Sequence, residues 1–156
     1  MAAPAYTWEF VCDLWGDRVP TIITMEASAS LETKVGTLLF MTSGQLDNCT
    51  DGTGTCIGLA AEATSAAASS GDALRVAVLA PGMVIRGTAT ANASTHTGFA
   101  AKTYDLDSDQ RLDVSDTTGG FLSVYRIGED ETGAQDADSL VVDCVVINSD
   151  LGPTSA

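Results

Sequence analysis

The sequence predicts an all-β fold: a compact β-barrel or sandwich built from two related strand–turn–strand units, with an extended N-terminal arm. Three observations predict it. Apolar and polar residues alternate in short runs broken by Gly, Asp, Thr and Pro, the period of strands with one buried face. Ala, Thr, Ser, Gly and Val dominate, while aromatics make up only 6%. The pattern of the first half then returns in the second. At 156 residues and 45% hydrophobic, the chain suits one domain with a real core.

Residues 1–34 differ from the rest. "YTWEFVCDLW" places Trp8, Phe10, Cys12 and Leu14 on one face of a strand. A turn at Gly16-Asp17 and then Pro20 lead into a second extended run, Thr21–Met25. We read 1–34 as an arm carrying a docking strand, with an edge strand of the domain itself as the equal alternative. Residues 35–156 form the β domain, with repeat units at about 35–98 and 99–150. "GTLLFM" is a strand, "TSGQLDNCTDGTGT" turn material and "CIGLAAE" a second strand. "ATSAAASSGD" is a small-residue connector. "ALRVAVL" alternates strictly, Pro81-Gly82 turns the chain, and "MVIRGTA" follows as another strand.

An offset of 66 residues lays Leu38 and Phe40 on Tyr104 and Leu106, and Leu46-Asp47 on Leu112-Asp113. It also lays Leu74, Val76 and Val78 on Leu140, Val142 and Cys144. We read this as an internal duplication, and each unit alone is too small to bury a core. The duplication bears on "YDLDSDQRLDVSD", residues 104–116. Its Asp105, Asp107, Asp109, Asp113 and Asp116 fall at positions 1, 3, 5, 9 and 12 of a calcium loop. Position 6 is Gln110, where such a loop wants Gly for its sharp bend, and the flanks are strand-like rather than helical. The first copy has Leu39, Met41 and Ser43 at the places of Asp105, Asp107 and Asp109. An acidic hairpin is expected here, and no metal.

The net charge is −14, from 21 acids against 7 bases. Such a surface repels phosphate backbones and anionic membranes, so neither nucleic acid nor membrane is an expected partner. No apolar run approaches the length of a membrane span. "MAAPAYTWEF" lacks the basic and apolar regions of a secretory leader, so synthesis in a cytoplasm is expected. The chain carries no G-x-S-x-G, H-E-x-x-H or Walker pattern. Its one histidine, His96, sits in the polar stretch "NASTHTG" and reads as solvated. No enzyme activity and no cofactor are expected.

The four cysteines lack the paired spacing of structural zinc. Cys49 and Cys56 flank "TDGTGT", which reads as a hairpin tip. A disulfide across it would stabilise by roughly 2.5 kcal/mol, although a cytoplasmic origin argues against one. Cys12 and Cys144 fall in strand-like alternation and read as small core residues.

Residues 35–89 resemble the head decoration, or cement, proteins of tailed bacteriophages. The residues that carry the resemblance are Gly36, Ile57-Gly58-Leu59-Ala60, Gly71-Asp72, Val76, Val78 and Pro81-Gly82. Residues 99–148 follow the pattern more loosely, and 1–34 lie outside it. The resemblance implies a structural virion protein on the outer surface of an icosahedral capsid. Its partners would be the major capsid protein and itself, as a homotrimer clamping neighbouring capsomers. In that setting Trp8, Phe10 and Trp15 are the candidate anchors, because aromatics dominate interface hot spots. Deleting residues 2–19 is then expected to abolish capsid binding and leave the domain folded. The alternative is a phage fibre, spike or adhesin module that binds a receptor or glycan.

Overall fold

The computed structural model of the protein describes residues 3–64, 67–94, 102–128 and 139–150. Among these, nine strands form in chain order: β1 (Glu9–Asp13), β2 (Thr21–Glu26), β3 (Leu38–Thr42), β4 (Gln45–Asn48), β5 (Gly58–Ala60), β6 (Ala73–Val78), β7 (Met83–Thr88), β8 (Leu122–Ile127) and β9 (Val141–Val146). They make two antiparallel sheets, of order β1-β7-β9-β8 and β2-β6-β5-β3-β4. The sheets pack face to face as a sandwich rather than closing into a barrel. No α-helix forms among the described residues, so none is long and apolar enough to cross a membrane.

The two segments expected to be related pair in the same chain order. In the first, β3 pairs with β4 and with β5, and β5 pairs with β6. In the second, Leu106 bridges Leu112, Tyr104 bridges Leu122 of β8, and β8 pairs with β9. Of the first unit, β3 to β6 lie in the five-stranded sheet and β7 in the four-stranded one, where β8 and β9 of the second unit also lie. Leu38 and Leu59 from one side meet Ile85, Val124, Val142 and Cys144 from the other in the main core. A second cluster lies around Leu39, Leu46, Ile57, Leu74 and Val76. It is covered by the chain at 27–31 and by the connector, where Ala68 and Leu31 join backbone to backbone at 2.9 Å. The connector is therefore a strap over apolar side chains, which explains its small residues.

The N-terminal segment belongs to the sandwich. β1 pairs with β7 and β2 with β6, so each is an edge strand of one sheet. Trp8 is only 3% exposed, in the main core. Its ring lies over Gly87 so closely that any side chain there would meet the indole. Removing residues 2–19 would therefore strip a core tryptophan and a sheet strand, and the expectation that the domain survives this deletion is corrected.

Gln110 fastens several of these parts together. It is fully buried, with a left-handed backbone at φ 65°. Its side-chain Oε1 accepts from Leu38 N–H at 2.8 Å, and its Nε2 donates to Leu38 O at 2.7 Å and Cys49 O at 3.0 Å. Its own carbonyl accepts from Trp8 Nε1–H at 2.8 Å. One residue thus joins the second unit to β3 and the chain leaving β4 through its side chain, and to the residue before β1 through its main-chain carbonyl. Gln110→Ala would take a partner from the buried Leu38 N–H and Cys49 O, while Leu38 O keeps its bond from Cys49 N–H, and should cost about 2 kcal/mol or more in chemical denaturation. Trp8→Ala should cost about 3–5 kcal/mol by the same measurement.

Candidate docking surface

The chain between β1 and β2 turns outward. Of the three aromatic candidates, Trp8 is core and Phe10 packs partly against it, whereas Trp15 is 71% exposed. The structure separates the three, and only Trp15 is free to meet a partner. Val19 is 70% exposed, and Ile22 and Ile23 on β2 are exposed as well. Alternation in the sequence did not single out Val19, Ile22 or Ile23, because both faces of β2 are open and neither stands out as polar.

This apolar segment is held in one shape. The Asp13 carboxylate accepts from Trp15 N–H at 3.1 Å, and Arg18 donates to it from Nε at 2.6 Å and Nη2 at 3.0 Å. Arg18 Nη2 also reaches Pro81 O at 2.8 Å, and its guanidinium lies 6.0 Å from the Trp15 ring centroid. Leu14 N–H donates to Gly82 O at 2.9 Å. The Trp15 ring rests on Gly82, whose φ of +93° and missing side chain both suit that contact. Arg18 hydrogen bonding, with help from the Trp15 and Arg18 amides, outweighs burial and holds the Asp13 carboxyl at about 2. A prefixed loop loses less entropy on binding than a mobile one.

β2 ends the five-stranded sheet; among the described residues its outer edge makes no strand pairing along Thr21–Glu26, and just beyond it Ala27 bridges Leu46 of β4. Open edges accept further strands. Local charge favours contact too. Between Leu14 and Met25 stand one acid, Asp17, and one base, Arg18, on a chain of net charge −14.

No protein-family model matches the chain, and a search of curated proteins finds no match either.

A second feature lies on the four-stranded sheet. Asp143 of β9 is buried and takes Arg86 Nε at 2.8 Å and Arg126 Nε at 2.5 Å, from its cross-strand partners on β7 and β8. Burial raises the Asp143 pKa, and the two guanidiniums more than offset this and bring it below its ordinary value. The pair lines an open cleft of about 550 Å³ with Ser139 and Val141.

The possible disulfide across the hairpin tip, against which a cytoplasmic origin argued, is not formed. Cys49 and Cys56 are separate buried thiols, with Sγ near Thr55 O and Asn148 O respectively, each at 3.8 Å. Cys49 N–H bonds Leu38 O, while Cys56 bridges Ser149. Burial pushes both thiols above their ordinary pKa, which removes thiolate character. Cys144 is a core residue, and Cys12 is half-buried in β1. His96 lies outside the described residues.

Two measurements check this surface. Trp15→Ala should change folding stability by less than about 1 kcal/mol, in contrast to Trp8, because most of the ring faces solvent. The Asp143 ion pairs should stabilise fully at neutral pH. The folded pKa is depressed, so their contribution is present above the ordinary value of 3.8 and lost as pH falls through the lower folded value. Asp143→Asn should cost about 1–3 kcal/mol at pH 7, discounted for the half-exposed arginines, and should flatten the acid limb of the stability curve.

Proposed function

We propose that this protein is a structural virion component that binds the outer surface of an icosahedral phage capsid, as a trimer, and cements neighbouring capsomers. The observation that carries the reading is the near-neutral apolar segment from Leu14 to Met25, held rigid on an otherwise acidic sandwich. Support for a capsid as the partner comes from the resemblance of residues 35–89 to decoration proteins.

Trp15 and Val19 supply the kind of desolvating contact that dominates interfaces. The open edge of β2 offers backbone donors and acceptors to a strand from the shell. A ligand that binds only the expanded lattice stabilises that lattice by mass action. Many copies bound at once turn a modest contact into a large total. The acidic remainder of the surface keeps coated particles from sticking to one another.

The test is co-sedimentation of the purified protein with expanded capsids, followed by quantitative mass spectrometry of the pellet. We expect about one copy per copy of the major shell protein, as a lattice-covering role requires. Trp15→Ala should weaken binding by roughly 30-fold or more, the scale of a hot-spot residue. A few copies per particle would support a fibre or spike role instead. No pelleting at any concentration would overturn the virion reading.

A further inference from the structure

The acidic stretch at 104–116 does not act as a linear loop. Asp107 is committed to Arg111 at 2.7 Å, and its Oδ1 caps the Asp109 and Arg111 amides. Asp113 caps Ser115. Two acids of the stretch instead meet a third from elsewhere. Asp105 and Asp116 each bring a carboxylate oxygen to within 4.8 Å of one on Asp51, in the turn that separates Cys49 from Cys56.

Asp105 is the informative member. It is 2% exposed. One oxygen, Oδ2, accepts from Gly52 N–H at 2.6 Å. The other, Oδ1, is fully buried and has no hydrogen-bond partner. A buried carboxylate oxygen without a donor is costly, and near two further carboxylates it is more so. Burial first, and then the charges of Asp116, Asp51 and Asp113, push the Asp105 carboxyl above its ordinary pKa, against the Gly52 amide. A cation is the partner that meets the unpaired oxygen and the like-charge crowding together.

We propose that Asp51, Asp105 and Asp116 form a calcium site. Carboxylate oxygens are the donors that calcium prefers, and it binds them at about 2.3–2.6 Å. Oxygens on opposite sides of one calcium ion then stand about 5 Å apart, and the observed spacing falls inside that limit. Asp51 is exposed and Asp116 half-buried, so the site opens to solvent on one side and keeps room for water ligands. The ion would tie the Asp51 turn of the first unit to the Asp105–Asp116 segment of the second. With three carboxylates and an open side, we expect a dissociation constant between about 10 µM and 1 mM.

The test uses the isolated, chelator-treated protein, so its result is independent of capsid binding. Thermal melts and titration calorimetry are run with calcium chloride and, separately, with magnesium chloride. Calcium at about a hundred times its dissociation constant should raise Tm by about 5 °C or more. Asp51→Asn and Asp116→Asn should weaken the response at least about tenfold, because each removes one of three charged ligands. Asp109→Asn, exposed and outside the cluster, should leave it unchanged. Asp105→Asn should abolish the calcium response and also raise Tm in chelator, since it removes a buried charge. A merely structural Asp105 would instead lose stability under both conditions. No heat and no Tm shift at about 10 mM calcium would overturn the proposal. So would a response to magnesium alone, or a loss as large in Asp109→Asn as in Asp51→Asn.

Discussion

The buried amide of Gln110 is the contact on which most of the architecture depends. A sandwich of two sheets needs its connecting segments fixed to the sheets, and buried backbone groups at those junctions need partners. Gln110 answers both needs at one point. Its side chain takes both the N–H and the C=O of Leu38, as a neighbouring strand would, and reaches Cys49 as well. Its carbonyl holds the indole of Trp8. The position of β3, the course of the chain after β4 and the seating of the N-terminal segment are therefore coupled. Because Trp8 is seated, β1 is fixed at the edge beside β7, and the loop beyond it leaves the sandwich at a defined place.

That coupling divides the N-terminal segment into two roles within a few residues. Trp8 and Phe10 turn inward, and Trp15 turns outward over Gly82. Trp8 stands just before β1 and Trp15 in the turn just beyond it, where the chain has left the sheet. Asp13 and Arg18 then close the loop on itself. An exposed tryptophan on a mobile tail would collapse onto any nearby apolar surface. On a clamped loop it stays presented, which is the physical condition for a specific contact rather than a sticky one.

Much of the fold was legible in the sequence because strands announce themselves by alternation. The runs around Phe10, Ile22, Val76, Ile85 and Val142 all became strands. β4 was read as turn material because "QLDN" has one apolar residue, Leu46, and its pairing with β3 supplies the rest of its stability. Period-2 spacing sets Trp8 and Trp15 on opposite faces, but it does not say which of the two faces meets the core. Gln110 stands where a calcium loop has Gly, and its left-handed φ shows that the sharp bend is made all the same, with side-chain hydrogen bonds available to offset the strain. The grouping of Asp51 with Asp105 and Asp116 lay beyond any linear reading, because it depends on how the two units face each other.

The distribution of charge links the core to the surface. All five arginines, Arg18, Arg75, Arg86, Arg111 and Arg126, are engaged with an acid. Each pair sits at a structural junction: a loop, a cross-strand position or a turn. The positive charge is thus spent locally on shape, and the acid surplus is left over for the exterior. An exterior of that sign repels other acidic surfaces over about a Debye length, copies of itself included. Association through such a surface must use a window where the surplus is missing. The segment from Leu14 to Met25 is such a window, with Asp17 balanced by Arg18 and with Trp15, Val19, Ile22 and Ile23 exposed. Val35, Leu140 and Val141 are exposed elsewhere, but on a surface that carries the acid surplus, so an acidic partner approaching there is repelled. Specificity on this protein would come as much from where contact is refused as from where it is offered.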